Sequence, residues 1–244
     1  MEFRGTTPEL SLATRSPGIL PARIAASRML IIEANRTKAE LLHYYCAAHW
    51  GFEIVGVERT YADGVAGVSR SKPDLVIASL AAADLGSVDF VQQLRLAAPS
   101  AKLVLLTSIS TEYLIHALSA LEWNALVFEA DEGLVALGQA IDRVRQGARY
   151  VSSRIVQCQS AMRANPLAFH KILSAREQEV LVCIANSLAD EEIGRLFGLS
   201  KNTVQSHRKE IMRKLDIHST PKLIRYCAEK GFNALPLPAA PLAP

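Results

Sequence analysis

The sequence predicts a two-domain chain of the α/β class: five parallel strands doubly wound with helices, then a smaller all-α domain of four helices. Three observations carry this. Five short runs rich in Val, Ile and Leu (MLIIE, FEIVGVE, DLVIAS, KLVLLT and NALVFE) alternate with stretches of helical spacing. The runs are apolar almost without a break, as in strands covered on both faces. Past residue 172 such runs stop, and helix caps and stops follow one another closely. A length of 244 residues exceeds one ordinary domain, and an apolar half of the composition fills two modest cores.

Taken in order, residues 1–27 mix Pro, Thr, Ser and Gly without periodicity and read as a disordered extension. Residues 28–146 hold the five strand runs. The helices between them are predicted at Thr37–His49, Tyr61–Arg70, Val88–Ala98, Thr111–Leu121 and Glu132–Gln146. Five β-α units in this length suit a flavodoxin-like domain, whose functional site lies at the carboxyl ends of the strands. Residues 147–172 contain Gly147, Ser152, Ser153, Asn165 and Pro166 and read as a linker. Residues 173–233 form the second domain. Ser174 and Glu177 make a capping box that opens its first helix. A short helix over Asp190–Phe197 stops at Gly198, and Ser200 caps a third, Lys201–Leu215. The last, Pro221–Lys230, has Pro at its start and Gly231 at its end. Residues 234–244 are a Pro-rich tail.

Charge divides unevenly along this plan. Residues 28–143 carry 9 Lys/Arg against 14 Asp/Glu, whereas residues 173–233 carry 10 against 8, and 144–172 carry 5 basic residues and no acid. An acidic first half joined to a basic second half points to a polyanion met by the second half alone. Cys46, Cys158, Cys183 and Cys227 form no metal-ligand or paired pattern, so no metal site, no cofactor and a reducing compartment are expected. No apolar run is long enough for a membrane span, and the N-terminus lacks a signal-peptide core; a cytoplasmic location without membrane contact is expected.

The strongest motif is EEIGRLFGLSKNTVQSHRKEIMRKL, two helices joined by a short turn. Ile193, Leu196, Leu199, Val204, Ile211 and Leu215 are spaced to face a core. Lys201, Gln205, Ser206, Arg208, Lys209, Arg213 and Lys214 are left for the solvent side. A helix with an exposed start and Lys/Arg along its outer face fits a major groove and its flanking phosphates. Together, LSAREQEVL, EIGRLFGLS and TVQSHRKEIMRKL resemble the LuxR/NarL-type helix-turn-helix of bacterial regulators over about 60 residues. The resemblance implies that Gln205, Ser206 and Lys209 face base edges, with Ser200, Thr203, His207, Arg208 and Lys214 near the DNA backbone. It also implies a homodimer reading a palindromic operator, with the last helix (Pro221, Leu223, Ile224, Cys227) as the dimer contact. Gln205, Glu210 and Thr220 depart from the family pattern. A Gln reads adenine where a Lys favours guanine, so the operator does not follow from the resemblance.

Residues 28–146 resemble the receiver module that precedes this helix-turn-helix in response regulators. In an active receiver, acidic residues after the first strand hold Mg²⁺ and an Asp ending the third strand takes the phosphate. A Thr/Ser after the fourth strand and a Lys after the fifth then read it. The matching positions here are Glu33-Ala34, Ser79, Thr107 and Glu129, with Leu126 at the switch aromatic. A Ser cannot form an aspartyl acyl phosphate, and Glu129 repels the anion a Lys would clamp, so this is a degenerate pocket. Asp74 starts its strand at the wrong end, and Asp84 lies in the following loop.

These readings predict a sequence-specific transcription regulator that is not an enzyme and binds double-stranded DNA independently of aspartyl phosphorylation. The receiver-like domain would serve dimerisation or partner docking. Two alternatives stand beside it. One is a small-molecule sensor using the crevice lined by Ala34, Ser79, Ala81 and Thr107; the other is a module that sequesters another regulatory protein.

Overall fold

The computed structural model describes residues 27–80 and 86–234. The extension through residue 26, Ala81, Asp84 and the tail from 235 lie outside the described residues. In chain order the first domain runs β1 (Arg28–Ile32), α1 (Arg36–Ala48), β2 (Glu53–Glu58), α2 (Tyr61–Ser71), β3 (Leu75–Leu80), α3 (Ser87–Ala97), β4 (Lys102–Thr107), α4 (Glu112–Ser119), β5 (Ala125–Phe128) and α5 (Leu134–Arg145). The strands are parallel and lie in the order β2-β1-β3-β4-β5, so the winding reverses between β1 and β3 and opens a crevice at their carboxyl ends.

Alternation along each strand builds the two cores. Leu30, Val76, Leu105 and Leu126 point to the face covered by α2, α3 and α4. Their neighbours Ile31, Ile77, Val104 and Val127 point to the face covered by α1 and α5. Both faces are dry, which is why the strand runs contain so few polar residues.

The segment 147–172 is not the linker its composition suggests. Tyr150–Val151 adds a sixth parallel strand, β6, beside β5, making six strands where the sequence predicts five. The following Ser152 is buried; its hydroxyl accepts from the Phe128 amide at 2.8 Å. Ser153–Ala164 then forms a helix, α6, and Phe169–Ile172 a short one, α7. A two-residue strand is too short to show periodicity. The apolar stripe of α6 is narrow, Ile155, Cys158 and Met162 among Arg, Gln and Ser. Ile155 belongs to the sheet core, Met162 to the core of the second domain, and Cys158 touches both.

The second domain follows its punctuation closely: α8 (Ala175–Ala185), α9 (Asp190–Phe197), α10 (Lys201–Lys214), α11 (Thr220–Lys230) and a 3₁₀ turn, Phe232–Ala234. Ser174 and Glu177 form the capping box in both directions. Gly194 lies against the α9–α10 turn so closely that a Cβ there would sit 2.6 Å from the Leu199 carbonyl oxygen. Val180, Leu181, Ile193, Val204, Ile211 and Phe232 fill the core. Leu223 and Cys227 join them, fully buried, which corrects their assignment to a dimer contact: an 11-residue helix on a small core spends one stripe inward. Pro221 and Ile224 remain on the outer face of α11.

The two domains meet along α4. Tyr113 stacks on Phe169 at 5.6 Å and contacts Phe232 at 4.7 Å, Glu112 pairs with Lys230, and His116 stacks on His170 at 4.5 Å. Gly231, at φ 86°, lies under Thr111, where a Cβ would come within 2.3 Å of the Thr111 Oγ1.

Candidate nucleic-acid interface and strand-end pocket

Helix α10 stands on Val204 and Ile211, its two fully buried side chains. Ser200 caps it by accepting from the Thr203 amide at 3.1 Å. The opposite face carries exposed Lys201, Thr203, Ser206, Lys209 and Arg213, with Gln205 and His207 half-exposed between them. Asn202, exposed in the first turn, belongs to the same face, although the spacing argument passes over it.

The basic residues of α10 divide into two kinds. Arg208 pairs with Asp190 at the start of α9, both groups mostly covered, and Lys214 pairs with the buried Glu177 at 2.8 Å. These pairs brace α10 against α9 and α8. Burial would raise the Glu177 carboxyl, but the hydrogen bonds from Lys214 and Ser174 outweigh it and hold its pKa below the usual range. Lys201 and Arg213 instead pair with Glu191 and Glu210 at the open surface. Such pairs are worth little in water, and their cations remain available to a phosphate. Among the described residues Lys209 has no acidic partner and faces outward.

In the first domain, the carboxyl ends of the strands bring together Glu33, Ser79 and Glu129, and a residue the sequence argument overlooks holds them. Lys38, from the first turns of α1, extends its ammonium to Glu33 Oε2 at 2.7 Å, to Ser79 Oγ at 3.0 Å and to Glu129. Ser79 also donates to Glu33, and the Asn35 amide donates to Glu33 Oε1 at 2.7 Å. Burial alone would raise the Glu33 carboxyl; Lys38, Ser79 and Asn35 together hold it below the usual carboxylate range. The carbonyl of Ala34 accepts from Arg59 Nε at 3.0 Å. Thr107 stands apart: its buried hydroxyl both donates to and accepts from the backbone of Ile109, 3.0 and 3.1 Å away. Leu126 is buried in the sheet core. Asp74, at the far end of β3, accepts from the Arg28 amide.

A divalent cation does not fit this arrangement. It needs several hard oxygen ligands facing one point, and among the described residues an ammonium already stands between the acids Glu33 and Glu129, with Ala34 in place of a second ligand. No group of acids, His and Cys suited to a metal occurs among the described residues. The remaining crevice is about 80 Å³, far below the roughly 300 Å³ at which small-molecule sites begin. Of the metabolite crevice expected around Ala34, Ser79, Ala81 and Thr107, Lys38 stands in the part between Ala34 and Ser79, Thr107 does not line it, and Ala81 lies outside the described residues.

Comparison with known proteins bears on both domains. Residues 171–227 match the family described as bacterial regulatory proteins, luxR family. The oxygen regulatory protein NreC of Staphylococcus epidermidis is 30% identical over 194 residues, covering 73% of this chain and 87% of NreC. NreC of Staphylococcus aureus is 32% identical over 189 residues, covering 71% and 85%. Among solved structures, RcsB of Salmonella enterica serovar Typhimurium, bound to promoter P1flhDC with a phosphomimetic, superposes with a TM-score of 0.58 at 17% identity over 83% of this chain and 98% of RcsB. A second RcsB–DNA complex gives 0.55 at 16% identity, covering 84% of this chain and 98% of RcsB. At this identity the superpositions establish the shared fold.

Proposed function

This chain belongs to the LuxR/NarL-type response regulators, which are DNA-binding transcription regulators, and we propose that it works without aspartyl phosphorylation. The observation that carries the proposal is the Lys38 ammonium among Glu33, Ser79 and Glu129. It supplies, from within the chain, the positive charge that a metal ion supplies in an active receiver. Ser79 offers no carboxylate to take a phosphoryl group, and Thr107 is engaged with its own loop. The receiver-like domain then acts as a fixed platform for dimerisation or partner docking.

DNA is read through α10. Gln205, Ser206 and Lys209 are placed to reach base edges in a major groove, while Ser200, Lys201, Thr203, His207 and Arg213 lie toward the phosphates. Arg208 and Lys214 contribute chiefly by holding α10 in place. A homodimer on a palindromic operator would meet through the outer face of α11, at Pro221 and Ile224.

The test is selection of genomic fragments with the full-length protein, with and without acetyl phosphate, at one salt concentration. One enriched palindromic site, the same in both conditions, is the expected result. Enrichment confined to acetyl phosphate, or a phosphoryl or beryllofluoride adduct by mass, would refute phosphorylation independence.

A further inference from the structure

Beside the filled crevice lies a larger space with a different lining. Between α1 and α5 a cavity of about 450 Å³ opens to the surface, within the roughly 300–1,000 Å³ typical of small-molecule sites. Its floor is Leu42, Leu106, Val127 and Leu137, all buried, and its rim is the partly exposed Leu41 and Leu134. Its polar lining is Lys38, Ser108, Glu129 and Glu132, the first three at the end it shares with the strand-end crevice.

The charge at that end is not balanced. Lys38 is shared by two carboxylates, Glu33 and Glu129, which leaves one negative charge over among these three, and Glu132 adds another to the lining. Glu129 gives Oε2 to Lys38; among the described residues its Oε1 has no hydrogen-bond partner. Glu132 is occupied elsewhere, holding Tyr150, Ser152 and the Ser153 amide. An apolar pocket ending in one half-satisfied carboxylate suits a cation with hydrogen-bond donors and disfavours an anion. We propose that this cavity is a binding site for a small apolar molecule carrying a protonated amine, its ammonium on Glu129 and its hydrocarbon between α1 and α5.

The site is coupled to the rest of the chain by its lining. Lys38 and Ser108 border both this cavity and the strand-end crevice. Ser108 begins the segment that leads through Thr111 to α4 and its contacts with the second domain. An ammonium on Glu129 would therefore compete with Lys38 at the head of that path.

The experiment is calorimetric titration of the full-length protein, without DNA or phosphodonor, with three probes of equal chain length: octylamine, 1-octanol and octanoate. Octylamine is expected to bind one per chain, at least tenfold more tightly than octanol, with octanoate weakest. Glu129→Gln should bring the amine within threefold of octanol, and Leu134→Trp, which fills the cavity from its rim, should abolish binding of all three while the thermal midpoint stays close to that of the parent. Octanoate binding as tightly as octylamine would overturn the proposal, as would amine binding that ignores Leu134→Trp. So would a parent dimer that excludes octylamine and that Leu134→Trp splits in sedimentation, since a second copy would then be the occupant. With no DNA or phosphodonor present, failure here is distinct from failure of the phosphorylation-independent reading.

Discussion

Lys38 joins Glu33, Ser79 and Glu129 in the strand-end crevice, and two of these three partners are far from it in sequence. Removing it leaves the buried Glu33 and the nearby Glu129 with no cation between them. Lys38→Ala is expected to destabilise the protein by about 1–3 kcal/mol, read from the urea midpoint. The sign of the pH dependence follows from Glu33. Its folded pKa is depressed, so its contribution is complete above the ordinary carboxylate value and is lost as pH falls through the lower folded one. The parent should therefore lose stability faster than Glu33→Gln as pH drops below about 4.3. Parallel curves would remove Lys38 from its assigned role. At the other end of the molecule, Lys209→Ala should weaken specific DNA binding by about 1–3 kcal/mol and relax selectivity at one base pair; unchanged affinity would refute base reading by Lys209. Glu33, Ser79 and Glu129 could be placed from the sequence because each ends a recognisable strand. Lys38 could not, because its reach into the crevice depends on where α1 packs.

At the scale of elements, α10 shows why a run of basic residues is an incomplete description of a DNA-binding face. Lys201, Arg208, Arg213 and Lys214 look equivalent in sequence, yet two are braces and two are surface charges. Arg208→Ala should lower the thermal midpoint of the protein, because it leaves the mostly covered Asp190 unpaired. Arg213→Ala should leave the midpoint nearly unchanged and reduce the salt dependence of DNA binding by about one charge. Equal loss of stability in the two variants would contradict this division. The α9–α10 pair was legible because caps, turn and core spacing agreed. The partners of its charges were not, since Asp190 and Glu177 approach α10 only through tertiary packing. The same limit explains α11, where the resemblance implies a dimer contact that includes Leu223 and Cys227, and both are buried in the core.

Over the whole molecule, the contact between the domains is built, among the described residues, from aromatic and imidazole rings with the Glu112–Lys230 ion pair. His116 and His170 both have lowered pKa values: His116 through burial and then His170, and His170 through burial and then Lys171, with Glu112 opposing. The folded state thus takes up these protons less readily than the unfolded chain. The stabilisation is complete above the ordinary imidazole value of about 6.5 and is lost as pH falls through the lowered values. Small-angle scattering is expected to show the domains separating as the pH falls below about 6.5, and His170→Phe should blunt the change; a profile independent of pH would count against the contact as a titrating one. None of this contact could be read from the sequence, because α4 and α7 each carry only half of it.

Helix α6 has a further consequence. Its inward residues Ile155 and Met162 lie seven positions apart, two turns along one stripe, and serve two different cores. The spacing between the domains is therefore a matter of helical phase as well as length. One residue added between them turns Met162 by about 100° out of its core, whereas an added turn of about 3.6 residues restores the direction at the cost of about 5.4 Å. Exchange of output domains among such regulators at this junction is restricted to cuts that preserve the phase, and a frame of the wrong period would join two intact domains that cannot dock.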